Sequence, residues 1–151
     1  MVMRALGYRQ KVGVVQFIKG EQLSGEEIYL REHCPQVEFH QMGTGFTWDT
    51  QDRSADIRAA EKTWARVLPM LKDSSFDLVV LDELTYMIAY DYLDEGEIIA
   101  AISGRPATQS VVVTGRGGGS ALQEIMDTVS EVREVKHAFN AGIKARQGVD
   151  Y

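Results

Sequence analysis

The chain has 151 residues and a formal net charge of −6 at pH 7, with 44% hydrophobic and 25% charged residues, the composition of one globular domain with a core of its own. An isoelectric point near 5.1 argues against a nucleic-acid surface, which needs a basic patch, and no apolar run approaches the roughly 18 residues of a membrane span. The lone Cys34 excludes an internal disulfide and fits a reducing cytoplasm.

Strands and helices are expected to alternate along the chain, which predicts an α/β fold with a mainly parallel sheet flanked by helices. Residues 11–18 (KVGVVQFI) are a nearly continuous valine-rich run, as in a strand covered on both faces. Residues 24–33 read as a helix, with Ser24 and Glu27 spaced as a capping box. A weaker alternation marks a strand at 37–42. After a Gly-rich loop, residues 51–73 form the longest predicted helix. Its apolar stripe is Ile57, Ala60, Trp64, Val67, Leu68 and Leu71, and Pro69 is expected to kink it or split its last turn. Residues 76–81 are the next strand, followed by helical stretches at 84–92 and 94–103. A strand at 110–114 leads through glycines into a helix at 119–127, and residues 128–135 read as a last strand.

Four places carry candidate chemistry. Asp82 and Glu83 close a buried strand (FDLVVLDE), where an adjacent pair of carboxylates can offer one group to a metal and use the other to orient it. The alternative is a helix N-terminus, where acidic residues are favoured by capping and the dipole. The loop 43–50 (GTGFTWDT) places Phe46 and Trp48 on one side if extended. They can cover a flat apolar ligand or anchor the loop in the core. The turn 114–120 (TGRGGGS) can converge backbone N–H groups of Gly115 and Gly117 on an anion, with Arg116 as a planar donor fork. Lys19, after the first strand, is within reach of a phosphate if the strands end at one edge, although an exposed lysine beside a turn is the plainer reading. His33, His40 and His137 have no short ligand spacing, so a histidine metal site is not expected.

A strand delivering Asp-Glu has a usual companion, a Gly-rich loop ending in Gly-Lys-Ser/Thr, and no Gly-Lys pair occurs in these residues. Even so, the segments VGVVQFIKG (12–20), GFTW (45–48), LDELTY (81–86), TGRG (114–117), VKHAF (135–139), GIKA (142–145) and GVDY (148–151) resemble, in this order, the ATP:corrinoid adenosyltransferases. The resemblance spans essentially the whole chain. It implies a single domain over residues 1–151, with a RecA-like, P-loop NTPase-type fold lacking its first strand and phosphate loop. Because that strand is internal to the sheet, two neighbouring strands are expected to lose their partners.

The implied reaction moves the 5′-deoxyadenosyl group of ATP to the cobalt(I) of a corrinoid, in adenosylcobalamin biosynthesis or salvage. The resemblance makes Glu83 the direct ligand of Mg²⁺ (or Mn²⁺), with Asp82 as its neighbour. Lys19, Arg116, Gly115 and Gly117 hold phosphates. Phe46, Thr47 and Trp48 contact the corrinoid, and the two aromatics are catalytic because they displace the lower cobalt ligand. A cytoplasmic homodimer and a flavoprotein-type reductant are further implications. A non-catalytic corrinoid-binding remnant and a generic RecA-like ATPase fragment are the alternative readings.

Overall fold

The computed structural model describes residues 1–18, 23–42 and 52–150. Four strands, β1 (Val12–Gln16), β2 (Val37–Gln41), β3 (Leu78–Asp82) and β4 (Ser110–Val113), form one all-parallel sheet in the order β2-β1-β3-β4. The helices are α1 (Val2–Gly7), α2 (Gly25–His33), α3 (Arg53–Lys72), α4 (Leu84–Ala89), α5 (Glu95–Ser103) and α6 (Ser120–Glu124), with a 3₁₀ turn at Ala138–Ala141. The expected α/β architecture, consistent with a RecA-like fold, is what the chain adopts. Among the described residues, no helix is long and apolar enough to cross a membrane.

Strand alternation divides the core into two layers. Val15, Val79 and Leu81 face one side and pack with Trp64, Val67, Met70 and Leu71 of α3 and Ile98 and Ile102 of α5. Val12, Val14, Phe39 and Leu78 face the other and pack with Ala5 of α1, Leu30 of α2 and Cys34. Both faces of the central strands are therefore covered, which is why 11–18 reads as unbroken apolar sequence. Ser24 caps α2 by accepting the N–H of Glu27 at 3.3 Å, so half of the predicted capping box is present. The carboxylate of Glu27 turns elsewhere.

Two expectations about boundaries need correction. Pro69 does not split the long helix, because α3 runs on to Lys72. So near a C-terminus the missing proline N–H costs a single helical bond. Residues 128–135 are not a strand. Every residue from 127 to 150 is exposed, and a strand without a neighbour leaves its backbone groups to water. The expected pair of unpartnered strands is not found as such. β1 and β3 are bonded on both sides, and the outer edge of β4 is the open one on that side of the sheet among the described residues.

Gln109, buried just before β4, ties the layers together. Its Nε2 donates to the carbonyls of Met70 (2.9 Å), Asp73 (3.1 Å) and Phe76 (3.3 Å), closing the C-terminal end of α3. Two of these carbonyls also take a backbone N–H, that of Met70 from Asp73 and that of Asp73 from Phe76, so Gln109 adds a second donor to each. Gln109→Leu is expected to lower stability by about 1–3 kcal/mol, because it takes a donor from the buried Met70 and Phe76 carbonyls. The measurement is a urea midpoint that falls at unchanged slope.

Candidate active site

In a parallel sheet the C-terminal strand ends share one edge, and ligands of open α/β folds sit there. The register places Gln41, Gln16 and Asp82 opposite one another, and the Thr114 N–H bonds the Leu81 carbonyl one residue earlier. Residues paired in register point to the same face. All four side chains therefore form one row across the sheet, on the side of α1 and α2.

The row is hydrogen-bonded throughout. Thr114 Oγ1 donates to Asp82 Oδ1 at 2.7 Å and accepts the Glu83 N–H at 2.9 Å. Gln16 Nε2 donates to Asp82 Oδ2 at 3.3 Å. Gln41 Nε2 donates to Gln16 Oε1 at 2.9 Å and to Glu27 Oε2 at 2.6 Å. Both oxygens of Asp82 are thus engaged by the protein.

Glu83 is held differently. Its backbone is left-handed (φ +61°), and although it stands at the start of α4 its side chain caps nothing. The capping alternative for this carboxylate is therefore not realised. Glu83 Oε2 is buried without a hydrogen-bond partner, and so is Thr85 Oγ1 nearby in sequence. Burial pushes the Glu83 carboxyl above its usual range, the Asp82 charge adds to this, and the Arg116 guanidinium opposes it. Asp82 and Glu83, neighbours in sequence, therefore have opposite environments.

The Gly-rich turn after β4 packs against α4. A Cβ on Gly115 would strike Thr85 Oγ1, and one on Gly118 would lie 2.7 Å from the Thr85 carbonyl and 2.9 Å from the Ala89 nitrogen. Gly117, at φ +66°, faces open space. The turn brings Arg116 within electrostatic range of Glu83, so the second strand-end motif meets the first, as expected from their shared edge. Lys19, Phe46, Thr47 and Trp48 lie outside the described residues.

The histidines serve locally. His40 Nε2 meets Glu38 at 2.9 Å, and His137 Nδ1 accepts the Phe139 N–H. Among the described residues no three His, Cys, Asp or Glu side chains converge as a metal cluster. Sequence reasoning placed Thr114 and Gln16 in candidate segments without giving either a role, and missed Gln41 and Glu27 as parts of the site. A polar residue at the last position of each buried strand was the available signal.

A family model described as ATP:corrinoid adenosyltransferase BtuR/CobO/CobP matches residues 1–151. The corrinoid adenosyltransferase of Escherichia coli (strain K12) is 55% identical over 148 residues, covering 98% of this chain and 74% of the relative. That of Pseudomonas aeruginosa is 52% identical over 151 residues, covering 100% and 74%. A third, from Sinorhizobium sp, is 39% identical over 153 residues, covering 100% and 72%.

Proposed function

Because this chain belongs to the ATP:corrinoid adenosyltransferase family, we propose that its strand-end site serves ATP-dependent adenosyl transfer to a corrinoid in cobalamin biosynthesis. Cobalt(I) of the substrate gives its electron pair to C5′ of the ribose. The cobalt–carbon bond forms, the C5′–O bond breaks, and triphosphate leaves with the bonding electrons. Such a displacement asks the protein mainly for positioning and for stabilisation of the leaving charge.

The observation that carries this placement is Glu83 Oε2, a buried acceptor without a partner beside a carboxylate whose own oxygens are both held. A buried, unsatisfied oxygen is costly unless a ligand completes it. The donor set fits Mg²⁺, which is bound through one or two carboxylates plus substrate phosphates, and Mn²⁺ prefers the same donors. When bound, the cation neutralises charge on the departing triphosphate. Glu83 is the direct ligand, and Asp82 is fixed beside it by Thr114 and Gln16. Arg116, Lys19 and the backbone of Gly115 and Gly117 bind phosphates. This reading is supported for Gly117 by the open space at its Cα and for Arg116 by its field at Glu83.

Phe46, Thr47 and Trp48 take the corrinoid, with the two aromatics under the corrin in place of the lower cobalt ligand. Trp48→Ala is expected to leave ATP binding intact. It slows transfer by on the order of tenfold, the size of a lost aromatic contact of about 1.5 kcal/mol, when cobalt(II) must first be reduced. With corrinoid already reduced to cobalt(I), the loss is smaller. Stopped-flow traces from the two starting states measure the difference.

The domain is read as one unit over residues 1–151, working as a cytoplasmic homodimer that receives electrons from a flavoprotein-type reductant. Support for the compartment is the single unpaired Cys34. Support for a subunit contact is the exposure of Val132, Val135 and Phe139.

Anaerobic mixing of the protein with ATP and pre-reduced corrinoid tests the proposal. The expected result is a light-sensitive cobalt–carbon product with an equimolar amount of triphosphate. Phosphate release from ATP without corrinoid would point to a generic ATPase instead. Corrinoid binding without product would point to a binding protein.

A further inference from the structure

Glu27 is an unusual residue for its position. It lies in the first turn of α2 and is only 4% exposed, where a capping-box glutamate would normally reach back to the backbone N–H of the capping residue. Its Oε1 accepts from Arg31 Nε at 3.0 Å and its Oε2 from Gln41 Nε2 at 2.6 Å. Through Gln41 and Gln16 it is joined to Asp82 at the other end of the row.

The chemistry of this chain fixes its direction. Ionised carboxylates accept hydrogen bonds and cannot donate them, whereas an amide can turn either end toward a neighbour. With an acceptor-only group at both ends, one arrangement satisfies every contact. Gln16 must turn its NH₂ to Asp82, which presents its carbonyl to Gln41. Gln41 must then spend one N–H on Gln16 and the other on Glu27. Asp82 alone already requires this direction; Glu27 adds the second acceptor that holds Gln41 in place, so an apolar residue at position 27 leaves Gln41 anchored only by Gln16 and Gln16 less firmly held against Asp82.

We infer that Glu27, acting through Gln41 and Gln16, is a positioning residue that orients the Asp82 carboxylate for metal–ATP binding. The inference rests on the proposed reading of Asp82 and Glu83 as the metal–triphosphate site. Glu27 does not touch a reacting group. Its effect is that of an outer-shell partner, transmitted across the width of two strands.

The test is Mn²⁺ binding to the full chain in the presence of ATP and without corrinoid, followed by electron paramagnetic resonance so that no turnover is required. Wild type is expected to retain Mn²⁺. Glu27→Leu keeps a side chain of similar reach and removes the acceptor, so it is expected to bind Mn²⁺ with ATP about tenfold more weakly, as loss of an outer-shell partner does. Its KM for ATP rises by a similar factor while its KM for corrinoid stays the same, a split that general loosening of the fold would not give. Gln41→Leu, on the edge strand, breaks the same chain and is read in the same way should Glu27→Leu fold poorly. Arg31→Gln leaves the Glu27 acceptor in place and is expected to bind as wild type does. Unchanged Mn²⁺ affinity in Glu27→Leu or Gln41→Leu would overturn the inference while leaving the metal site standing. Failure of wild type to retain Mn²⁺ with ATP would remove the metal site and the inference together.

Discussion

Glu83→Gln is expected to reduce adenosyl transfer by about 10²–10³-fold, the usual cost of losing one group that stabilises charge on a leaving or attacking atom. In the same variant, metal-free protein at pH 7 becomes more stable. The sign follows from the raised carboxyl. Burial, and then the Asp82 charge, make the folded state hold its proton to higher pH than the unfolded state does. Over that window the folded state binds more protons, so stability is highest below the ordinary glutamate range and falls as pH rises through the folded-state value. Glutamine has no charge to bury, so this pH-dependent loss disappears. The gain is modest because the residue is only partly buried. It is expected to raise Tm by roughly 1–3 °C, since about 1 kcal/mol moves a chain of this size by some 2–4 °C. Thermal melts of both proteins in chelator, at pH values from the ordinary glutamate range upward, check it. The curves should converge at the acid end and separate toward neutrality. Higher stability with lost activity marks a residue kept for function.

The second large effect is expected at Gly118. Alanine there would place a Cβ 2.7 Å from the Thr85 carbonyl and 2.9 Å from the Ala89 nitrogen, both backbone atoms of the helix wall, at φ +63°. The left-handed backbone costs about 1–2 kcal/mol for a residue with a Cβ, and the overlap about 1–3 kcal/mol more. Against a typical stability of roughly 5–15 kcal/mol that is a large fraction, and the expected drop in Tm is about 5–15 °C. Gly117→Ala separates the two roles of the turn. With nothing within 4 Å of its Cβ, it bears only the backbone term. Its expected defect is weaker ATP binding, with a Tm only a few degrees below wild type. Equal melting losses at the two glycines would mean that the packing of the turn on α4 has no energetic weight.

Much of this was legible in the residues. The runs KVGVVQFI and FDLVVLDE read as buried parallel strands and are so, whereas SVVVT reads the same way and is a half-buried edge strand. Their ends had to meet at one edge, and the acidic pair and the Gly-rich turn do so. The Glu83 environment was half legible. The sequence places two carboxylates together, but only the left-handed turn at Glu83 and the Thr114 bridge show why one is satisfied and the other is not. Glu27 was legible only as a cap. Three residues after Ser24 it matches a local pattern, and local pattern carries no information about a glutamine on another strand. Residues 128–135 failed for the converse reason. Val129, Val132 and Val135 give strand propensity, but a strand also needs a partner edge, which is a property of the whole sheet.

The most direct test of the central claim, that the strand-end carboxylates bind the metal and triphosphate of the reaction, is a magnesium titration of the transfer rate. Pre-reduced corrinoid and saturating ATP are used, with wild type and Glu83→Gln side by side. The account predicts a saturating magnesium dependence in wild type. In Glu83→Gln the midpoint moves to much higher magnesium and the plateau is lower, while corrinoid binding is unchanged. Superimposable magnesium curves for the two proteins would contradict it, and the buried oxygen of Glu83 would then need another explanation.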